Sequence, residues 1–135
     1  MITNKVNAIV LKSGGTNCYV PFEAELQWDP IDPLAVQLIL HVPDGDVVWT
    51  IGRELLHKGS TSLTKFGDGD VRFRKEAVVS SRLLVCLNSP EGHADIALNQ
   101  PHVVRFLNRI EAECALGQED LTESIDGLIE EIYRA

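Results

Sequence analysis

The stretch DPLAVQLILHVPDGDVVWTI, residues 32–51, decides the fold class. Residues 34–42 are almost continuously apolar, which is typical of a strand buried inside a sheet. Residues 43–46, Pro-Asp-Gly-Asp, have the composition of a tight turn. Residues 47–51 are rich in β-formers and are predicted to pair back on residues 34–42 as the second arm of a hairpin. The stretch therefore predicts an antiparallel sheet.

Further strand signals lie on both sides of this hairpin. In residues 19–28, the side chains of Phe22, Ala24, Leu26 and Trp28 alternate with polar residues, which predicts a half-buried strand. The two prolines within residues 29–33 end it. Residues 70–75 alternate in the same way. The other predicted strands are residues 6–11, 83–87 and 93–98.

Helix signals are concentrated at the C-terminal end. Residues 52–59 are predicted to form a short helix closed by Gly59, followed by a loop over residues 60–68 that shows no periodicity. Pro101 is a typical first helical residue. After it, an apolar stripe follows helical spacing: Val103, Phe106, Leu107, Ile110 and Cys114.

A second C-terminal helix is predicted after Gly117. Asp120 and Glu123 have the spacing of a capping box. The apolar stripe of this helix is Leu121, Ile125, Leu128, Ile129 and Ile132. The expected fold is α+β in a single domain of residues 1–135, with a largely antiparallel sheet of about seven strands, a short inserted helix and two C-terminal helices.

The charge balance favours some classes of partner over others. The 135 residues carry a formal net charge of −8, and residues 101–135 alone hold eight acids and three bases. Nucleic-acid binders usually present a basic surface, so this balance opposes that class. An acidic helix face either suits a basic protein partner or is simply solvated.

The cysteines and the N-terminus bear on the compartment. Cys18, Cys86 and Cys114 are odd in number and widely spaced, which is typical of reduced core thiols in a cytoplasmic protein rather than of a disulfide framework. No signal-peptide pattern and no apolar run of ~20 residues is present, so we expect a cytoplasmic protein without membrane insertion.

Catalytic and metal-binding patterns are absent from the sequence. His41, His57, His93 and His102 share no metal-ligand spacing. Cys86 lies in an apolar strand and has no base beside it in the sequence. We therefore predict no enzyme activity, no cofactor and no metal site. His41 is expected to be a half-buried, hydrogen-bonded residue.

One cluster supports an alternative function. Four basic residues lie in or beside one hairpin, with Phe73 between the first two: Arg72, Arg74, Lys75 and Arg82. Basic residues interleaved with an aromatic can bind a single strand of nucleic acid. Alternation places Phe73 opposite the arginines, in the core, so nucleic acid remains an unlikely partner and the second hypothesis.

An ordered set of short motifs resembles the SsgA-like family of actinobacterial sporulation and cell-division regulators. The resemblance covers about residues 5–132 and is greatest to SsgB-type members. The matching residues are Asp32-Pro33-Leu34-Ala35-Val36, Trp49, Arg53-Glu54-Leu55-Leu56, Gly67, Gly69-Asp70-Val71-Arg72, Cys86-Leu87, Ser89-Pro90-Glu91-Gly92 and Ala94.

The resemblance implies a function that composition does not show. Family members help to position the division septum in sporulation by recruiting or organising the tubulin-like protein FtsZ, without known enzymatic activity or cofactor. It also implies a whirly-like fold, a homo-oligomer, expected to be a trimer, and concentration at the septum.

Two surfaces are candidates for these contacts. The candidate partner surface comprises Glu123, Asp126, Glu130, Arg72, Arg74 and Arg82. The candidate oligomer interface is the apolar stripe Leu121, Ile125, Leu128, Ile129 and Ile132, which is wider than a small sheet needs. The stripe packs either between subunits or within the chain.

Overall fold

The computed structural model describes residues 1–61, 66–68, 70–75, 81–90 and 92–119. They form one sheet with strand order β4-β3-β2-β1-β8-β7-β6-β5. The elements are β1 (Ile2–Ser13), β2 (Thr16–Asp29), β3 (Asp32–Val42), β4 (Gly45–Gly52), α1 (Arg53–Thr61), β5 (Phe66–Asp68), β6 (Val71–Lys75), β7 (Arg82–Ser89), β8 (Gly92–Asn99) and α2 (Gln100–Glu113).

All neighbouring strands pair antiparallel, so the α+β class with an antiparallel sheet is confirmed. The sheet has eight strands rather than about seven, because β5 lies inside the predicted loop of residues 60–68. A three-residue strand is too short to show periodicity. The first C-terminal helix is confirmed as α2. The predicted second one lies outside the described residues.

The hairpin of β1 and β2 is longer than the pattern predicts. Gly14 and Gly15 form its turn with φ of 57° and 95°, a conformation in which both residues benefit from lacking a Cβ. Between Val10 and Lys12 the register shifts against both neighbouring strands. This bulge turns Lys12 to the side of the sheet opposite the core.

The core lies on one side of the sheet, where both described helices pack. Trp28, Phe73 and Phe106 are its largest fully buried side chains. The Trp28 indole Nε1 donates a hydrogen bond to the Pro33 carbonyl at 3.0 Å, so its polar atom is satisfied. The predicted inward stripe of α2 is confirmed, with Val103, Phe106, Leu107 and Ile110 buried and Cys114 half-buried.

Gly59 is needed for close packing rather than for ending a helix. The prediction that it closes α1 is wrong, because the helix continues to Thr61. A Cβ built on Gly59 would lie 2.3 Å from the Phe73 Cβ, closer than carbon atoms approach. The absence of a side chain therefore lets α1 lie directly on β6.

A buried guanidinium joins α1 to the end of α2. The side chain of Arg53 is only 3% exposed. It donates to Glu119 Oε1 at 3.0 Å, Glu111 Oε2 at 3.1 Å and the Cys114 carbonyl at 2.5 Å. The same carboxylates accept from the backbone N–H groups of Leu116 and Gly117. The segment after α2 is thus folded around one cation.

We expect Gly59→Ala to lower the free energy of unfolding by about 2 kcal/mol, because the added methyl overpacks the α1–β6 contact. Urea unfolding measures it. The matched control is Gly52→Ala, whose Cβ meets only Leu55 Cβ at 3.8 Å. If both variants unfold at the same urea concentration, the contact with Phe73 does not require a glycine at residue 59.

We expect Arg53→Met to lower the free energy of unfolding by about 3 kcal/mol or more, because it leaves two carboxylates and a carbonyl without their buried donor. Arg105→Met, at an exposed position of α2, is the control. Adding Glu119→Gln to Arg53→Met should recover part of the loss, since it removes a buried carboxylate that has lost its partner. A loss no larger than that of Arg105→Met in urea unfolding would contradict this role.

Candidate binding face of the sheet

The side of the sheet opposite the core forms the outer face, defined by the residues that alternate with core positions, such as Glu25, Ile39, Arg72 and Leu84. These side chains are half-buried or exposed, whereas their neighbours along each strand are buried. Both described helices lie on the other side, so this is the largest sheet surface available to a ligand or partner.

The three arginines of the candidate partner surface come together on this face. Arg72 pairs with Cys86, Arg74 with Leu84 and Arg82 with Asn99 in neighbouring strands. They line one pocket of about 410 Å³. We call it the arginine pocket, defined by its charged residues Lys12, Arg72, Arg74, Arg82 and Asp95.

A second depression of about 630 Å³ lies next to the arginine pocket, and the two share Arg82. Its lining includes Asn7 and Ile9 of β1 and Glu23 of β2. Both depressions lie over the pairing of β1 with β8, which joins the two halves of the sheet.

The surroundings of Cys86 differ from the expectation. Its nearest neighbours across the strands are Arg72 and Asp95, so a basic residue does lie beside it. Cys86 is half-buried on the outer face, and Cys18 is exposed, so neither is a core thiol. Cross-strand neighbours depend on strand register, which the local sequence around Cys86 does not contain.

The aromatic side chains near the arginines have opposite environments. Phe73 is fully buried, as predicted, and is not available to stack on a base. Tyr19, which belongs to no motif of the sequence, lines the arginine pocket and is 69% exposed. Its φ of 50° is rare for a residue with a side chain. No sequence signal marks that conformation.

His41 connects three strands on the outer face. Its ring nitrogens lie 2.8 Å from Asp46 Oδ1 on β4 and 3.3 Å from Glu25 Oε2 on β2. The hydrogen bond to Asp46 raises the pKa of His41, and Glu25 adds to this effect against the opposing effect of desolvation. The prediction of a half-buried, hydrogen-bonded histidine is confirmed.

His93 is similarly occupied. Its Nδ1 contacts the Asn88 side-chain oxygen, and its Nε2 lies 2.8 Å from Asp95 Oδ1. Both ring nitrogens of His93 therefore lie in contact with oxygen atoms of neighbouring side chains. Within residues 1–61, 66–68, 70–75, 81–90 and 92–119, no group of three or more His, Cys, Asp or Glu residues is placed to hold a metal ion.

Other expectations fall outside what the structure describes. The acidic residues of the candidate partner surface, Glu123, Asp126 and Glu130, lie beyond residue 119, as does the candidate oligomer interface: Leu121, Ile125, Leu128, Ile129 and Ile132. Neither described helix has the length and apolarity needed to cross a membrane.

The chain is similar in sequence to several proteins named as sporulation-specific cell division proteins. The chain is 37% identical over 95 residues to a sporulation-specific cell division protein of Frankia casuarinae, covering 70% of this chain and 64% of that protein. The chain thus spans less than two thirds of that relative. It is 30% identical over 118 residues to the sporulation-specific cell division protein SsgB of Streptomyces coelicolor, covering 83% and 85% of the two chains.

The fold is also similar to that of a solved structure from the same group of proteins. The SsgA-like sporulation-specific cell division protein of Thermobifida fusca superposes with a TM-score of 0.80 at 30% identity, covering 96% of this chain and 93% of that one. The family described as "Streptomyces sporulation and cell division protein, SsgA" matches residues 22–119, which include β3, Arg53 and most of the arginine pocket. The chain therefore belongs to the SsgA family of sporulation and cell-division proteins.

Proposed function

We propose that residues 1–135 form a single SsgA-like domain that acts as a non-enzymatic cell-division adaptor in the cytoplasm. It helps to position the sporulation septum by recruiting or organising the tubulin-like protein FtsZ, and it is concentrated there. The observation that carries this proposal is family membership over residues 22–119, together with relatives named sporulation-specific cell division proteins.

The outer face supports a binding role rather than catalysis. It offers a broad half-buried surface, and its described histidines, His41 and His93, have both ring nitrogens engaged by neighbouring side chains. A general base needs a nitrogen within reach of a substrate proton. The charges of this face instead suit a protein partner, because charge complementarity directs association and specificity.

A homo-oligomer, expected to be a trimer, is the second part of the proposal. Val20 and Val47 lie on the core side of the sheet yet are 51% and 43% exposed. Val10, opposite Val20, is only partly buried. Apolar side chains left exposed on the side of the sheet that otherwise forms the core are candidates for contacts between subunits. Two antiparallel meanders, β1–β4 and β5–β8, also support the whirly-like comparison.

The first test is sedimentation of the purified protein, alone and with polymerised FtsZ from the same host, at physiological salt. Alone, it should sediment as a trimer, and a monomer would contradict the oligomer proposal. With FtsZ polymer it should appear in the pellet. Absence from the pellet at saturating polymer would contradict FtsZ recruitment.

Two variants locate the partner surface. Reversal of Glu123, Asp126 and Glu130 to Lys tests the acidic patch, and reversal of Arg72 and Arg74 to Glu tests the basic one. The patch that contacts FtsZ should lose affinity by about tenfold or more, because close charge pairs contribute over 1.4 kcal/mol. Arg105→Glu, at an exposed position of α2, is the control. Unchanged affinity in both variants would remove both patches from the partner surface.

A further inference from the structure

The arginine pocket concentrates positive charge in a protein whose formal net charge is −8. Among its described lining residues, four are cationic and Asp95 is the one carboxylate. Lys12 reaches the pocket from β1, Arg72 and Arg74 from β6, and Arg82 from β7. Bringing like charges together raises their mutual repulsion, which a bound anion would relieve.

Three of the four cations are available to a ligand. In the part of the chain that the structure describes, Lys12, Arg72 and Arg74 make no ion pair, and Arg72 is exposed. Asp95 does not neutralise them fully, because one carboxylate faces four cations in the described lining. Arginine side chains bind phosphate oxygens through paired N–H groups, which favours a phosphate over a simple halide.

Among the described residues, the positive charge of the arginine pocket is not continued toward β2, where Lys5 is paired with Glu23 at 3.8 Å. The neighbouring depression contributes Glu23, and Arg82 is the cation that it shares with the arginine pocket. Beyond it lie Glu25 and Asp46, both in contact with His41. A long nucleic-acid backbone needs a continuous basic track. The site therefore fits one phosphate group on a small ligand better than a polymer.

The rest of the pocket selects what carries the phosphate. Leu11 and Leu84 provide apolar walls, and Asn17 and Asp95 provide hydrogen-bond partners suited to hydroxyl groups. The exposed ring of Tyr19 is available to stack on a flat ring. A volume of about 410 Å³ falls in the range of small-molecule sites.

We propose that the arginine pocket binds a phosphate monoester of nucleotide size, with the phosphate on Arg72 and Arg74 and the flat ring on Tyr19. Binding is a property of the isolated chain and does not require the proposed adaptor role. Loss of FtsZ recruitment and loss of ligand binding are therefore separate results.

The test is calorimetric titration of the full chain with AMP, ribose 5-phosphate, inorganic phosphate and adenosine at physiological salt. We expect AMP to bind most tightly, ribose 5-phosphate and phosphate progressively less tightly, and adenosine least. This order separates the phosphate contribution from the ring contribution. Adenosine binding as tightly as AMP would overturn the role of the cations.

Two variants assign the contributions. The double change Arg72→Gln and Arg74→Gln should weaken AMP by about tenfold or more, because it removes two charge-assisted donors. Tyr19→Leu should weaken AMP but leave inorganic phosphate unchanged. The matched control, Arg105→Gln on α2, removes a charge away from the outer face and should leave binding unchanged. Circular dichroism and urea unfolding confirm that each variant remains folded.

Three outcomes would overturn the proposal. One is no saturable binding of any phosphate compound to the wild-type chain. Another is an equal loss of affinity in the Arg105→Gln control and the arginine double variant, which would indicate non-specific charge. The third is tighter binding of a poly-thymidine strand than of AMP with a steep salt dependence, which would identify a nucleic-acid site instead.

Discussion

The buried guanidinium of Arg53 is the constraint on which the arrangement of the helices depends. A charge that is 3% exposed is tolerated only when its donors are satisfied, and three acceptors from the end of α2 and the following segment satisfy them. A lysine could not serve them in the same way, because its single ammonium lacks the planar fork. Once the ion cluster forms, α1 and α2 have fixed positions on the sheet. The buried ion cluster therefore explains why arginine is the first residue of the Arg-Glu-Leu-Leu segment by which the chain resembles the family.

The fold was predictable where one side of an element is buried and the other is not. Phe22, Ala24, Leu26 and Trp28 revealed β2 by alternation, and the 3–4 spacing after Pro101 revealed α2. Prediction from the sequence was wrong where the local structure depends on a contact with a residue distant in the chain. Gly59 reads as a helix end, yet its role depends on Phe73 in another element. Similarly, β5 exists because β6 pairs with it, not because its three residues carry a pattern.

In the candidate site too, local pattern predicts some features, whereas others depend on contacts between distant strands. That Arg72 and Arg74 share a face follows from strand alternation. Their meeting with Lys12 depends on the bulge after Val10, and their meeting with Asp95 on the β7–β8 register. Net charge was informative about the whole molecule but not about its distribution. An acidic protein can still hold one positive pocket, because the potential near a surface depends on the nearest charges more than on the total.

The pairing of β1 with β8 has a consequence for the order of folding. Within each half of the sheet, consecutive strands pair with short loops between them, so those contacts close early. The seam joins residues 8–13 to residues 94–98, so its formation closes about two thirds of the chain into a loop. The seam is therefore the strand pairing with the largest sequence separation in the sheet, and opening it would separate the two meanders β1–β4 and β5–β8. Both depressions on the outer face lie across it, so a ligand bound there stabilises the joined sheet relative to the separated halves.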